Sequence, residues 1–557
     1  MPVLNWIGKE SIVNHDKDVP FRLLKKIKGL SVGESENLII EGDNLEGLKA
    51  LLPYYQNKIK CIYIDPPYNT GNENWVYNDN VNAPKIKQWL GKVVGIDDLT
   101  KHDKWLCMMY PRLKLLYNLL SDEGVLFASI DDNEVHNLRA LLSEIFLEEN
   151  FIAILPTVMN LKGNQDQFGF AGTHEYTLVF SKNKSKCKIK HFRITDDDEL
   201  EKWEEDRMGY FKKGANLKST GTNAPRNKRP NLYYPLLFNP KTSGIETIQE
   251  SEYKKIYNED SKSFDDKFVD ELKKKYEKLG YVFILPITDG KEMTWRWEIY
   301  KIKNESYNII VNSNVEDITI YKKQRPGIGD LPSKKPKSLF YKPEYSSGNG
   351  TGQIKDIFGQ KIFDNPKPLE LIKDIIEIST EKDDIILDSF AGTGTTGHAV
   401  MKLNKEDDGK RNFILIELED KVAKRITRER LKKVIKTENY RNGFEFCELD
   451  KPLFDKDGKI DQDCSFEDLA SYIYFTETKT ILDKNKIAKN FIGEHSETKY
   501  YLIFRGIGKN TLTTSFLKGL NKESRKIIYA DNCTISEDEL EQRNIIFKQI
   551  PYEVRVF

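Results

Sequence analysis

Two short stretches carry residue types that can do chemistry. The first is "YIDPPYNTG" (63–71), in which Asp65-Pro66-Pro67-Tyr68 follows an apolar run. Two successive prolines end a strand and hold the chain extended, so an acid and an aromatic are fixed at the two ends of a stiff unit. The plain reading is a strand-ending turn, since Asp-Pro opens turns. The chemical reading starts from an exocyclic amino group on a nucleobase. Its lone pair is conjugated into the ring, so it is a poor nucleophile. The Asp65 carboxylate and the Pro66 carbonyl are two acceptors for its N–H protons, and they favour a pyramidal nitrogen with a free lone pair. Tyr68 can stack on a base swung out of a duplex. Such a displacement needs no covalent intermediate and no metal, and positioning with fixed dipoles would carry it.

The second stretch is "DDIILDSFAGTGTTGHAV" (383–400). Gly392, Gly394 and Gly397 form G-x-G-x-x-G between a predicted strand and a predicted helix, where glycines let the backbone turn tightly and approach a ligand. Glu417 ends the next strand, 20 residues after Gly397, and a carboxylate there can accept from both ribose hydroxyls of a nucleoside. Two readings compete. A dinucleotide-binding dehydrogenase needs the loop for a pyrophosphate. A methyltransferase uses a similar loop for the amino-acid end of S-adenosylmethionine. Asp388 and Phe390 lean toward the second, because an acid before the loop suits a cationic group and repels a pyrophosphate. A third element, "LIIEGDNLEGLKALL" (38–52), is a strand followed by a helix. Asp43 at its junction is either an acceptor for an adenine amino group or a helix N-cap.

These residues need a scaffold that brings distant segments to one edge. From 38 to 183 short apolar strands alternate with amphipathic helices, as in "CIYI" (61–64), "WLCMMYPRLKLLYNLL" (105–120), "GVLFASID" (124–131), "NEVHNLRALLSEIF" (133–146) and "YTLVFSK" (176–182). That rhythm predicts a mostly parallel α/β sheet. It is lost over 184–340 and resumes over 341–436, with "PLELIKDIIEIST" (368–380), "DDIILD" (383–388), "TTGHAVMKLN" (395–404) and "RNFILIELE" (411–419). One α/β domain, Rossmann-like, is therefore expected in two halves around a large insertion. Residues 1–37 read as a polar extension and 437–557 as a small separate α/β domain.

The chain has 557 residues, 39% hydrophobic and 31% charged, with formal net charge zero. This composition describes a globular protein with sizeable cores and argues against a globally basic nucleic-acid binder. No apolar run is long enough for a membrane span and no secretory signal is visible. Six scattered cysteines form no CxxC, which fits a reducing cytosol. No metal site, no Walker-type loop and no nuclease motif is found. "DKDGKIDQD" (455–463) has Gly458 at the fourth position rather than the sixth of a calcium loop, so it reads as a turn.

Together "DPPY" and "DSFAGTGTTGHA" resemble the DNA amino-methyltransferases. Asp at the first position points to adenine, and the catalytic motif preceding the cofactor loop is the order of the beta class. Longer strings are similar to the modification subunits of Type III restriction–modification systems: "DVPFRLL" (18–24), "EGDNLEGLKAL" (41–51), "DPPYNTGNENWVYND" (65–79), "WLGKVVGIDDLTKHDKWLCMMYPRL" (89–113), "IDDNEVHNLRALLSEIFLEENFIA" (130–153), "GTHEYTLVFSKN" (172–183), and "SSGNGTGQIKDIFG" with "NPKPLELIKDII" (346–376). The resemblance is good over 38–183 and 340–420 and weak over 184–339. It implies a class I methyltransferase fold and S-adenosylmethionine-dependent methylation of adenine N6 in double-stranded DNA. It places Asp65, Pro66, Pro67 and Tyr68 at the target base. It places Asp388, Phe390, Gly392 and Gly394 around the cofactor, Glu417 at its ribose, Asp43 near its adenine and Lys367 and Pro368 near its carboxylate. Asn69 and Thr70 are expected to line the same pocket. It also implies a homodimer in the cytoplasm, working with a separate ATP-dependent restriction subunit.

Between Arg207 and Ile245 there are eight Lys or Arg and no Asp or Glu, interspersed with aromatics. Lys212, Lys213, Lys218, Arg226, Lys228 and Arg229 are the candidate DNA contacts, the alternative being a solvated loop. "KKQRPGIGDLPSKKPK" (322–337) is a second basic stretch, whereas Trp295 and Trp297 in "MTWRWE" (293–298) read as core. Three rival functions remain. A solitary methyltransferase without a nuclease partner differs only in its surroundings. A non-catalytic specificity subunit leaves the intact motifs unused. A nicotinamide oxidoreductase leaves DPPY and the basic insertion unexplained.

Overall fold

The computed structural model describes residues 4–70, 100–163, 169–194, 197–313, 318–326, 331–454, 459–478, 480, 482–483, 486–521 and 523–552. The strings expected at 71–79 and 89–99, the 455–458 part of the predicted turn and 327–330 of the second basic stretch lie outside them. The chain divides into two compact units, one of residues 1–190 with 336–557 and one of 191–335.

The larger unit is built on a nine-stranded sheet. In chain order its strands are β1 (Phe21–Lys26), β2 (Leu38–Glu41), β3 (Ile59–Ile64), β4 (Leu120–Ile130), β5 (Phe151–Val158), β6 (His174–Ser181), β7 (Ile385–Asp388), β8 (Asn412–Glu417) and β9 (Glu445–Phe454). Their spatial order is β1-β9-β2-β8-β7-β3-β4-β6-β5. The six strands from β9 to β4 run parallel, and β1, β6 and β5 pair antiparallel at the two sides. The parallel strands are apolar because helices cover both faces, so they cannot alternate with polar residues. Ile62, Ile64, Leu126, Leu387, Ile414 and Ile416 are all fully buried. The helices between them are α1 (Asn44–Tyr55), α2 (Lys101–Leu119), α3 (Val135–Phe146), α4 (Ser347–Phe358), α5 (Leu369–Ser379), α6 (Thr395–Asp407) and α7 (Arg428–Glu438). This is the expected α/β, Rossmann-like sheet, with an insertion between β6 and β7.

The first 37 residues do more than lead in. Phe21 and Leu23 of β1 are buried against β9, whose Leu453 and Phe454 are buried in turn. Strand β9 itself falls in the C-terminal segment yet pairs with β2 in the main sheet. Beyond it, β10 (Phe491–His495), β11 (Thr498–Leu502), β12 (Arg525–Ala530) and β13 (Ile545–Gln549) form a second, four-stranded sheet. Helix Phe466–Thr478 joins that part to α1 through Phe475, whose ring lies edge-on to Tyr54 at 4.3 Å. A short polar-rich strand such as "FRLLKK" gives little periodic signal alone, and its partner lies over 400 residues away.

The second unit has its own core, around Leu236, Phe238, Leu272, Trp295 and Ile320. Its largest sheet holds strands Ile309–Ser313, Ile318–Gln324, Gly209–Asn216 and Trp203–Asp206. Trp295 is buried and donates from its indole to the Tyr234 carbonyl at 2.7 Å, so it is core, although "MTWRWE" makes only an isolated bridge rather than a strand.

Candidate active site

Parallel strands end at one edge, and their register decides which residues meet there. Cys61 and Ile62 of β3 lie opposite Ile386 and Leu387 of β7, so Asp388 comes level with the end of β3 and Asp65 projects just past it. Asp388 in turn lies opposite Leu415 of β8, and Glu417 lies opposite Glu41 of β2. The edge thus collects Asp43, Asp65, Asp388 and Glu417, four residues spread over 375 positions of chain. Ligands of open α/β sheets bind outside such carboxyl ends.

The Pro-Pro unit is braced from behind. Trp105 of α2, fully buried, donates its indole N–H to the Pro67 carbonyl at 2.7 Å. The Tyr68 hydroxyl lies 3.0 Å from both Asp65 Oδ1 and Glu175 Oε2. The Lys367 ammonium sits 2.6 Å from that hydroxyl, 3.1 Å from Asp65 Oδ1, and 2.8 and 3.0 Å from the two oxygens of Glu175. Burial alone would lower the Lys367 pKa, but Asp65 and Glu175 outweigh it and hold the ammonium at about 12. Burial raises Glu175 above the ordinary carboxylate range, with Lys367 opposing, and pushes the Tyr68 phenol far up. One ammonium thus lies between two carboxylates that share one phenol.

Beyond Tyr68 the backbone of Asn69 is left-handed, with φ 60°. Its amide donates to the buried Glu134 at 2.5 Å, and its Oδ1 is buried with no partner among the described residues. On the other side, the Asp388 carboxylate accepts from the Phe390 N–H at 3.0 Å and from the Thr396 hydroxyl at 2.6 Å. Glu417 accepts from the N–H of Gly392 at 2.8 Å and of Glu419 at 3.0 Å. Burial nevertheless pushes both carboxyls up to about 7. Gly392 and Gly394 have φ of 49° and 75°, which side chains with a Cβ rarely adopt. The Thr427 hydroxyl, from a π-helical turn (Ala423–Thr427), donates to the Gly392 carbonyl at 2.5 Å.

A family profile described as DNA methylase matches residues 59–428. The chain belongs to the DNA methylase family. It is similar to the EcoPI Mod subunit of a type III restriction-modification enzyme from Escherichia phage P1, with 42% identity over 439 residues, 76% of this chain and 64% of that one. The type II methyltransferase M.KpnI of Klebsiella pneumoniae is 31% identical over 72% of this chain and 85% of its own. The StyLTI Mod subunit of Salmonella typhimurium is 29% identical over 75% and 57%. The chain therefore spans less than two thirds of these two Mod subunits' length.

Within this methylase most of the sequence-derived residues converge on the edge, and two of them, Lys367 and Asp43, have partners of their own there. Lys367, expected near the cofactor's carboxylate, holds its ammonium against Asp65 and Glu175, toward which the turn before α5 aims it. Asp43, expected near adenine, caps α1 by accepting from the N–H groups of Leu45 and Glu46 at 2.8 and 3.3 Å. Arg112 approaches it at 3.4 Å. An Asp at the start of a helix has the helix's own donors closest to hand. Pro368 is the residue before α5, and Thr70 follows Asn69 at the edge of the described segment.

Sequence reasoning missed Glu175, Trp105 and Arg430. Glu175 is the second residue of β6, which runs antiparallel to β4, so its start meets the end at which the parallel strands finish. A lone charge entering the apolar run "YTLVFS" was the available signal. Arg430, fully buried on α7, donates to the hydroxyls of Thr393 and Thr395 at 2.9 and 2.7 Å and so holds the glycine loop from below. The turn bearing Lys367 also depends on a glycine. A Cβ at Gly350 of α4 would lie 2.1 Å from the Pro366 carbonyl oxygen, a clash with backbone. Gly350→Ala is expected to displace residues 366–368, costing about 1–3 kcal/mol and about tenfold or more in turnover. Thermal melting and methylation rate check it, and unchanged values in both would refute the placement.

Of the basic candidates in the second unit, Lys213, Lys228 and Arg229 are exposed, and Lys212, Lys218 and Arg226 are half-buried. Arg226 is engaged with Asp266 at 2.6 Å and Glu292 at 2.8 Å, and its guanidinium lies over Phe264. Lys323 and Arg325 of the second basic stretch pair with Asp206 at 2.5 and 2.6 Å. Arg226 is thus fully paired within the unit, and Lys323 and Arg325 share one carboxylate. Among the described residues no helix is long and apolar enough to cross a membrane.

Proposed function

We propose that this chain is an S-adenosylmethionine-dependent DNA methyltransferase acting on adenine N6, the modification and specificity subunit of a Type III restriction–modification system. What carries the reading is one sheet edge that holds both Asp65-Pro66-Pro67-Tyr68 and the Asp388–Gly392–Glu417 cradle. The residues present fit the cofactor. Glu417 and Asp388 are carboxylates for ribose hydroxyls and for an ammonium group. Above Gly392 an added Cβ would meet nothing closer than the Phe363 ring at 3.7 Å. Asn69 Oδ1 and Ser389 Oγ are buried polar atoms without partners among the described residues. When bound, S-adenosylmethionine supplies an electrophilic methyl group on a sulfonium. The chain's part is to present Asp65 and the Pro66 carbonyl to the target N–H protons, and the Tyr68 ring to the base face, after the base leaves the duplex. The exposed Lys213, Lys228 and Arg229 are the candidates for phosphate contact, and a homodimer in a prokaryotic cytoplasm, with a separate restriction subunit, completes the proposal. A second reading, a methyltransferase acting outside a Type III system, draws on the similarity to the type II methyltransferase M.KpnI, 85% of whose length is matched.

Expression in a host free of adenine methylation, followed by modification-sensitive sequencing, tests the reading. N6-methyladenine at one short motif is the expected result. Unmodified DNA from cells in which the protein binds its cofactor would overturn it. A titration follows from the two carboxyls near 7. Their ordinary unfolded values are about 4, so between about pH 4 and 7 the folded protein binds more protons than the unfolded chain. Their contribution to stability is full below that window and is lost as pH rises through 7. Glu417→Gln removes one of them. Its melting temperature, relative to the parent, should rise from about pH 4 to about pH 7 and level off above that in cofactor-free protein, and a flat difference would contradict the burial of that charge.

A further inference from the structure

The cluster behind DPPY contains one acid that the proposed reaction does not use. Glu175 comes from β6, outside both motifs, and is buried. It faces Lys367 from the turn before α5, and Asp65 and Tyr68 from the turn after β3. Tyr63 of β3 and Asp388 of β7 are the next ionisable groups around these carboxylates. An exocyclic amine that has gained a methyl group is cationic and must lose one proton. Asp65 is the acceptor within reach of it, but Asp65 lies in a crowded edge and must be a carboxylate again for the next turnover. The Tyr68 hydroxyl stands 3.0 Å from Asp65 Oδ1 and 3.0 Å from Glu175 Oε2, while Lys367 can only donate.

We propose that Glu175 is a positioning residue that takes up the proton of the methylated amine through Asp65 and the Tyr68 hydroxyl, with Lys367 as the fixed counter-charge. The inference rests on the methyltransferase reading above. The amine N–H bond breaks with its electrons left on nitrogen, and the proton goes to Asp65 Oδ1. Asp65 passes a proton to the Tyr68 oxygen as the phenol's own proton moves to Glu175 Oε2. Asp65 ends as a carboxylate, Tyr68 as a neutral phenol and Glu175 as a neutral acid, which gives its proton to water that enters the edge when the methylated base leaves, so that both carboxylates are restored. Lys367 touches all three groups, so its ammonium stabilises whichever carboxylate is charged and stays paired throughout. The relay uses only the Tyr68 hydroxyl and not its ring, over which the Lys367 ammonium lies 4.9 Å from the centroid.

The test compares the full chain with Glu175→Gln, Tyr68→Phe, the double variant and Glu175→Asp, using genomic DNA from a methylation-free host and labelled S-adenosylmethionine under single-turnover conditions. Glu175→Gln and Tyr68→Phe are each expected to slow methyl transfer about 10²-fold, the size of one acid–base contribution. The double variant should be no more than about twofold slower than either, because both interrupt one path, and Glu175→Asp should recover part of the rate. Cofactor affinity by equilibrium dialysis, and fluorescence of 2-aminopurine at the target position without cofactor, should stay within about threefold of the parent, since positioning of the proton rather than binding is at issue. Multiplying losses in the double variant, a Glu175→Gln rate equal to the parent's, or binding lost in step with rate would each overturn the relay. A parent protein that binds cofactor yet methylates no DNA would instead overturn the methyltransferase reading.

Discussion

Asp65→Ala is expected to reduce methyl transfer to DNA by at least about 10³-fold, on the scale of losing a preorganised polar group at the reacting centre. S-adenosylmethionine affinity should stay within about threefold, because the cradle of Asp388, Gly392 and Glu417 is held by hydrogen bonds from Phe390, Thr396 and Gly392 rather than from Asp65. The fold should tolerate the change. Lys367 keeps Glu175 at 2.8 and 3.0 Å, so its buried ammonium is not left unpaired, which is what makes truncation of an ion pair costly. Equilibrium dialysis and a filter-binding methylation assay on the same preparation decide the matter. Loss of cofactor binding along with activity would show that the two halves of the edge do not divide the work as described.

Glu417→Ala should act the other way round. It removes the acceptor of the Gly392 N–H and the carboxylate proposed for a ribose, each a hydrogen bond involving a charged group worth about 1.5–3 kcal/mol. Cofactor affinity should therefore fall about 100-fold. DNA binding measured by gel shift should be unchanged, because Glu417 belongs to the cofactor side of the edge. An affinity within twofold of the parent would mean that the glycine loop is set by Thr427 and Arg430 alone and that Glu417 merely ends a strand.

The two experiments separate the halves of a site that the chain itself keeps more than 300 residues apart. Each half was legible on its own. Asp65-Pro66-Pro67-Tyr68 and the glycine loop are local devices, whose geometry follows from fixed proline φ and from glycine's freedom, so nearby residues suffice to read them. The parallel sheet was legible from the apolar strands for the same reason. The membership of β1 and β9 in that sheet was not, because it arises from pairing between Phe21–Lys26 and Glu445–Phe454, which no local period announces.

The sequence by itself determined the chemical groups, their placement on strand ends and the interruption of the α/β rhythm by a basic insertion. Only the tertiary structure decided which charges remain available. It gives Asp43 the helix cap that the sequence left as one of two readings, and pairs Arg226, Lys323 and Arg325 with acids of their own unit. It brings Glu175 from an antiparallel strand to the Tyr68 hydroxyl, and turns Lys367 onto Asp65. The reason is physical: a side chain's type fixes what it can bind, but its partner is set by register and strand direction, which belong to the sheet as a whole.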